Sequence, residues 1–221
     1  MSEIKVVTNI LKTNEEISSK NKQIFHEKGI YVVNLMSSPG SGKTSILEKI
    51  IKELKQEINI AVIEGDIYTT KDAERIEAQG VPVVQINTGG ACHLDGDMIK
   101  GAMDELNLDN IDLLVIENVG NLVCPAEFEV GEDIKISVLS TTEGNDKPLK
   151  YPLMFEKSGA VILNKIDIIE YTNFSREEFY NDIKALNANA DIFETSCVKG
   201  DGIEEVCRFI KNKINEKKER K

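Results

Sequence analysis

The sequence predicts an α/β fold, a mostly parallel central sheet flanked by helices on both faces. Two observations carry this reading. From residue 30 onward, short β-branched runs alternate with longer amphipathic stretches, the pattern of parallel strands joined by crossover helices. Composition agrees: 41% of residues are hydrophobic but only 5% aromatic, and Trp is absent, so the core must rest on Ile, Leu and Val. With 221 residues the chain can bury a substantial core, and no repeat, low-complexity linker or break divides it.

Residues 3–28 place Ile4, Val7, Ile10, Leu11, Ile17 and Ile24 at roughly helical spacing among Lys, Glu and Asn. They are expected to form one or two helices packed outside the core, an N-terminal helical extension over residues 1–28 ahead of a domain spanning 29–221. Next, "IYVVNLM" is a strand leading into the helical "TSILEKIIKELKQE", "NIAVIEGD" leads into "TKDAERIEAQG", and "VPVVQIN" into "GDMIKGAMDEL". Strands "IDLLVIENVG" and "DIKISVLSTT" follow, then "GAVILNKID" with the helical "SREEFYNDIKALNA". A last strand, "ADIFETSC", precedes the helix "IEEVCRFIKNKINEKKER". Within that helix Cys207 falls on the apolar stripe and reads as core, and the cations of "NEKKERK" suit a helix C-terminus.

The formal net charge of −11 argues against nucleic acid or an anionic membrane as partner, while leaving room for an anionic ligand held by backbone amides. The longest apolar runs, Ile111–Ile116 and Gly159–Leu163, are too short to cross a bilayer. The N-terminus lacks the continuous apolar stretch of a secretory signal, so a cytoplasmic location is expected. There, four cysteines point to free thiols or metal ligands before disulfides.

"NLMSSPGSGKT" joins the first strand to the first core helix, and Ser37 to Thr44 fits the phosphate-loop pattern except that Ser37 stands at the first glycine position. Gly40 and Gly42 permit the tight turn that aims successive N–H groups of Ser41, Gly42 and their neighbours at phosphate oxygens, aided by the positive end of the helix that includes Ser45. Lys43 would reach the β- and γ-phosphates, and the Thr44 hydroxyl would ligate Mg²⁺. The expected architecture is thus a P-loop NTPase three-layer sandwich.

"VILNKID" places Asn164-Lys165-Ile166-Asp167 at a strand end, matching the N-K-x-D signature of GTP-binding proteins roughly 120 residues after the phosphate loop. A carboxylate at Asp167 accepts from both N1–H and the exocyclic amine of guanine, whereas adenine would leave that acceptor unpaired. Asn164 can bond the base edge, and the Lys165 stem can cover the ring. "ETSCVKGDG" resembles the last guanine-contacting loop of GTPases, with Ser196 in the turn and Cys197 at its small-residue place. "LLVIENVG" resembles the D-x-x-G element, with Glu117 for Asp and Gly120 placed to sense the γ-phosphate.

For Mg²⁺, a hard cation that keeps several waters, Thr44 with Asp66 or Asp72 suffices, and Glu117 would act through water or at a shifted position. Capping of the next helix is the other reading of Asp72. Asp66 is the best candidate to position the attacking water. No Gln or Arg is evidently placed to do so, and slow intrinsic hydrolysis completed by partner contacts is expected.

"NTGGACHLDGD" sets Cys92 beside His93, one of only two histidines. Cys124, in "ENVGNLVCPAEF", follows another strand that plausibly lies near, so the three could converge on Zn²⁺ or Ni²⁺; by spacing alone an incidental polar loop stands equally open. Gly89 and Gly90 are expected to turn the chain, and Asp95 with Asp97 to cap the next helix.

Taken in order, "SSPGSGKTS", "EGDIYTTKDAERI", "NTGGACHLDGDM", "ENVGNLVCPAEF", "STTEGNDKPLKYP" and "LNKIDI" closely resemble the hydrogenase nickel-incorporation GTPases, the HypB family, across residues 30 to 210. The resemblance implies a cytoplasmic GTPase that delivers nickel to the large subunit of [NiFe] hydrogenase alongside a companion nickel-binding maturation protein. It implies a homodimer that forms or tightens with GTP, and a metal site on Cys92, His93 and Cys124 at the subunit interface, holding Ni²⁺ or Zn²⁺. It also implies that a lysine of "EGNDKPLKYPLMF", Lys150 preferred over Lys147, crosses to the partner's nucleotide. The start, "MSEIKVVTN", lacks the cysteine cluster or histidine-rich tract of some relatives, so the interface site rather than the N-terminus is expected to hold nickel. A metal-storage GTPase serving another enzyme such as urease is the alternative client assignment.

Overall fold

The β-branched runs form strands and the amphipathic stretches between them form helices. The computed structural model describes residues 2–220, with side chains from Ile10 onward, so the expected helical face at Ile4 and Val7 lies outside the described side chains. In chain order the elements are α1 (Ser2–Lys28), β1 (Tyr31–Ser37), α2 (Lys43–Leu54), β2 (Ile60–Asp66), α3 (Lys71–Glu77), β3 (Val83–Asn87), α4 (Gly96–Met103), β4 (Leu113–Glu117) and α5 (Cys124–Glu127). They continue as β5 (Ile134–Ser140), α6 (Lys147–Lys150), α7 (Pro152–Glu156), β6 (Ala160–Asn164), α8 (Arg176–Leu186), β7 (Asp191–Thr195) and α9 (Ile203–Glu219). The N-terminal stretch, expected as one or two helices, forms one continuous helix. The short α5, α6 and α7 have too few turns to leave a periodic signal.

Among the described residues the strands form a single sheet in the order β3-β2-β4-β1-β5-β6-β7, with every pairing parallel. Central strands β1, β4 and β6 are buried throughout because helices cover both faces, which explains their near-continuous apolar sequences. Edge strands β3 and β7 are only partly covered.

Alternate residues of the strands face opposite layers. Val33, Leu35, Val62, Val115 and Val138 meet α2 (Ile46, Leu47, Ile50, Ile51) and α9 (Val206, Cys207, Ile210, Ile214), so Cys207 is core, as its place on the stripe predicts. On the other face Val32, Ile63 and Ile116 pack with Phe25 of α1 and Ile99 of α4, while Met36, Leu139 and Val161 pack with Phe155 and with Phe179 and Ile183 of α8. Between these two apolar patches runs a buried polar seam. Asn118 Nδ2 donates to Asn34 Oδ1 (3.1 Å), Asn34 Nδ2 to Glu132 Oε1 (3.3 Å), and Glu132 is ion-paired with Lys135.

Helix α1 is fastened by polar groups as well as by Phe25. The Gly96 N–H, at the start of α4, donates to Asn14 Oδ1 (2.7 Å), and Asn21 Nδ2 donates to the Gly96 carbonyl (2.7 Å). Asn21 is buried, so Asn21→Ala removes a buried hydrogen bond between α1 and α4 and leaves a gap where the amide packed. The variant is expected to lose about 1–3 kcal/mol of stability in urea unfolding; an unchanged midpoint would show that the contact does not fasten α1.

Candidate functional site

The carboxyl ends of β1, β2, β4 and β6 deliver polar residues to a cleft of about 640 Å³ that includes Gly40, Lys43, Thr44, Asp66, Asp72, Glu117, Gly120 and Lys165. The phosphate loop joins β1 to α2. Gly40 and Gly42 have φ of 79° and 101°, a region that costs side-chain-bearing residues dearly. Gly42 has a second reason: a Cβ there would lie 2.4 Å from Asn164 Nδ2, which donates to the Ser41 carbonyl at 2.9 Å. Lys165 Nζ donates to the Gly40 carbonyl at 2.7 Å. The N-K-x-D segment at the end of β6 therefore grips the loop. Ser37, in place of the expected glycine, accepts from Lys43 Nζ at 2.9 Å, so this substitution supplies a hydroxyl that steers the lysine. Burial lowers the Lys43 pKa, opposed by Glu117 nearby.

Next to the loop stand four acids. Glu64 of β2 and Glu117 of β4 are cross-strand partners, 2% and 3% exposed, and each keeps one carboxylate oxygen, Oε2, without a hydrogen-bond partner among the described residues. Glu117 Oε1 accepts from the Thr44 hydroxyl at 2.6 Å. Burial pushes Glu64 up to about 8 and raises Glu117 as well. Asp66 accepts the Tyr68 and Thr69 N–H groups (2.7 and 2.8 Å), which fixes the turn after β2. Asp72 does not cap α3; Thr70 holds that position, and Asp72 pairs with Arg75 at 3.0 Å. The same Arg75 bonds Glu48 (2.7 Å) and the Ser45 hydroxyl (3.1 Å), joining α3 to α2. Ligand oxygens of Glu64, Asp66 and Asp72 lie within 4.8 Å of one another. This all-oxygen set, with the buried Glu64 Oε2 lacking a partner among the described residues, fits a hard divalent cation such as Mg²⁺.

Farther along the loop, Asn164 Oδ1 accepts from the Thr195 hydroxyl (3.1 Å) and the Cys197 thiol (3.7 Å), and the Ser196 hydroxyl donates to Asp167 Oδ1 at 2.7 Å. The predicted base-binding residues from β6 and β7 thus meet. Lys165 adopts φ 61°, strain that the loop contact to Gly40 holds in place. Gly202 is obligatory behind them, since a Cβ would fall 1.8 Å from the Glu194 carbonyl oxygen.

Cys92, His93 and Cys124 also converge, with ligand atoms within 4.8 Å of one another. Both cysteines are free thiols, their Sγ atoms 3.1 Å apart, and Cys92 Sγ lies 3.8 Å from His93 Nδ1. Their strands are less close than the sequence suggests: β2 separates β3 from β4, and the contact is made by the long turn after β3, with Gly89 and Gly90 at φ 60° and 106°. The His93 ring stacks on Phe128 at 3.8 Å, and burial lowers its pKa, favouring neutral imidazole. The hydrogen bond with Cys92, then burial, raises the Cys124 thiol. Two sulfurs and an imidazole suit nickel or zinc. Asp95 caps α4 as expected, accepting the Asp97 and Met98 N–H groups (3.0 and 2.9 Å), while Asp97 sits in the first turn.

The segment from Glu117 to Cys124 connects the two chemistries. A Cβ on Gly120 would stand 3.1 Å from Pro39 of the phosphate loop, so the switch backbone lies against that loop. Asn118 Oδ1 accepts the Leu94 N–H (3.1 Å), and Asn121 Nδ2 donates to the Cys92 carbonyl (3.1 Å). Lys150 is placed apart: it is ion-paired with Asp146 on an exposed face and does not line the cleft. Sequence reasoning missed Glu64, Arg75, Asn118 and Glu143, whose carboxylate takes the Ser38 hydroxyl. Only Glu64 left a signal, a charge inside the apolar run "NIAVIEGD".

A family model for the CobW/HypB/UreG nucleotide-binding domain matches residues 31–194. The hydrogenase maturation factor HypB of Escherichia coli (strain K12) is 44% identical over 207 residues, 94% of this chain and 71% of that protein. The hydrogenase/urease maturation factor HypB of Helicobacter hepaticus is 44% identical over 214 residues, 95% of this chain and 88% of that one. Among solved structures, HypB from Helicobacter pylori in complex with nickel superposes with a TM-score of 0.88 at 42% identity, covering 92% of this chain and 96% of its own. No helix among the described residues is long and apolar enough to cross a membrane. With a matching phosphate loop, nucleotide-binding domain and overall structure, the chain belongs to the HypB hydrogenase maturation factors of the CobW/HypB/UreG family.

Proposed function

We propose that the chain is a GTP-hydrolysing metallochaperone that binds nickel or zinc at Cys92, His93 and Cys124 and assists nickel insertion into the large subunit of [NiFe] hydrogenase. The observation that carries this is the short Glu117–Cys124 segment, which bonds the phosphate-loop Thr44 at one end and supplies a thiol of the trio at the other. The relative from Helicobacter hepaticus is named for urease as well as hydrogenase, which favours urease as a second client. Residues 29–221 form the GTPase unit on this reading, and residues 1–28 an extension docked on α4.

In hydrolysis, the loop amides of residues 40–45 and the Lys43 ammonium neutralise the β- and γ-phosphates. Thr44 with Asp66, Asp72 and Glu117 would hold Mg²⁺, which would supply further charge neutralisation at these oxygens. Asp66 orients the attacking water, and the Gly120 N–H reads the γ-phosphate. Lys150, on its exposed helix, crosses to the partner's nucleotide in a homodimer that GTP favours. Hydrolysis releases the Gly120 contact and, through Asn118 and Asn121, loosens the loop carrying Cys92 and His93.

Base selection rests on Asp167, already aimed by Ser196. Asp167→Asn exchanges an acceptor oxygen for a donor that faces the guanine amine, and is expected to weaken GDP binding about 10–100-fold, the loss of one or two hydrogen bonds to a charged group. Fluorescent GDP titration measures it, and undiminished affinity would remove the guanine assignment. The function itself is tested by titrating the purified chain with Ni²⁺ and Zn²⁺ under GDP and under a non-hydrolysable GTP analogue, with sedimentation on the same samples. Stoichiometric metal and an analogue-dependent dimer are expected; absence of metal uptake together with absence of phosphate release would defeat the proposal.

A further inference from the structure

We propose that Glu64 is a cation-holding residue of the nucleotide cleft, giving the chain a divalent-cation site, Glu64 with Asp66 and Asp72, that fills before nucleotide arrives. The inference rests on the reading of the cleft as a Mg²⁺-nucleotide site.

Glu64 lies inside β2, in the run "IAVIEGD", where Val or Ile would pack as well. It is 2% exposed, lines the cleft, and its Oε2 has no hydrogen-bond partner among the described residues. A buried carboxylate loses several kcal/mol of hydration and is kept only where something compensates it. Among the described residues the Lys43 ammonium acts on Glu64, but that one charge is shared with Glu117 and Asp72. The cross-strand neighbour of Glu64 is Glu117, also buried with an unpartnered oxygen, and Asp66 and Asp72 stand within ligand distance. The two nearby cations do not balance the four acids: Lys43 bonds the Ser37 hydroxyl and is shared among Glu117, Asp72 and Glu64, and Arg75 bonds Glu48, Asp72 and Ser45. A dipositive ion is the charge that balances this group of acids.

The spacing agrees. Oxygens on opposite sides of Mg²⁺ stand about 4.2 Å apart, and the three carboxylates already fall within 4.8 Å, so small side-chain rotations close the set. Mg²⁺ sites in nucleotide enzymes commonly depend on substrate phosphates for part of their shell. Three protein carboxylates make the ion independent of the phosphates. Donor hardness also sorts the metals, oxygen at Glu64 for Mg²⁺ and Mn²⁺, sulfur and imidazole at Cys92 for nickel.

Mn²⁺ serves as the probe, titrated into the full chain and followed by electron paramagnetic resonance, first without nucleotide and then with GDP. The wild type is expected to take up one Mn²⁺ per chain without nucleotide, and Glu64→Gln to weaken that binding at least tenfold. Thermal unfolding without metal separates ligation from packing: removing a buried ionisable group while keeping its size leaves Tm unchanged or higher, whereas a packing role would lower it. Nickel uptake at Cys92, followed by thiolate-to-metal absorption, should match wild type. Equal Mn²⁺ affinity in Glu64→Gln, or no Mn²⁺ on the wild type until GDP is added, overturns the assignment of Glu64 while leaving the Mg²⁺-nucleotide cleft intact. No Mn²⁺ even with GDP overturns both.

Discussion

Lys43→Ala is expected to lower GTP turnover by about 10²–10³-fold, the usual cost of deleting one preorganised electrostatic contact to a developing charge. The side chain is half-buried near Glu117, Asp72 and Glu64 and bonded to Ser37 Oγ, so it is held beside the loop before substrate arrives. Burial works against the ammonium and Glu117 supports it; GTP phosphates, more highly charged than a carboxylate, would support it further. Alanine removes both the charge and the partner that offsets Glu117 and Glu64. Phosphate release at saturating GTP, measured beside GDP affinity, separates turnover from binding. The loop amides and the Asn164 grip on the Ser41 carbonyl persist in the variant, so GDP affinity should fall much less than turnover. Unchanged turnover would mean that the loop binds nucleotide without acting on it, leaving a metal-binding module that uses nucleotide only to set its shape.

Much of this site was legible in the sequence because its motifs are local. A phosphate loop needs its glycines, lysine and threonine within a few residues of one strand end, and N-K-x-D needs four consecutive positions; both appear where the periodicity places strand ends. What depends on strand order was not legible. Hydrophobic alternation tells which residues share a face of one strand, but not that β2 lies between β3 and β4. The proximity of Cys92 to Cys124 therefore followed from the family resemblance and not from spacing. Strand order also hid Glu64, which matters only because the register sets it beside Glu117. Asp72 illustrates competition between partners: its position suits either helix capping or a metal, and in the fold Thr70 takes the cap position while Asp72 pairs with Arg75 and stays within 4.8 Å of the Glu64 and Asp66 ligand oxygens. The seam of Asn34, Asn118 and Glu132 is likewise assembled from separate segments, so no window of sequence contains it.

The double variant Cys92→Ala, Cys124→Ala is expected to reduce Ni²⁺ and Zn²⁺ affinity by about 10³-fold or more, since losing even an outer hydrogen-bond partner of a metal ligand costs 10–100-fold and here two ligands go. His93 alone, stacked on Phe128, cannot hold a metal tightly. Competition against a chromophoric chelator measures the loss. The substitutions fall in the turn after β3 and at the first residue of the short α5 and do not touch the phosphate loop, so GDP binding should persist and show that the fold survives. Retained wild-type metal affinity would exclude the trio and leave the oxygen cluster at Glu64 as the remaining site, a set of donors that binds nickel less selectively than thiolate and imidazole. The nucleotide dependence of the wild-type affinity carries a second consequence. Cys124 ends the segment that begins at Glu117, and Cys92 hangs from the same segment through Asn121. A shift of that segment changes the distance between two thiols now 3.1 Å apart, so metal affinity should differ between GDP and the GTP analogue. If the two affinities are equal, the segment is a passive scaffold, and nickel release must be driven by the client enzyme and not by hydrolysis.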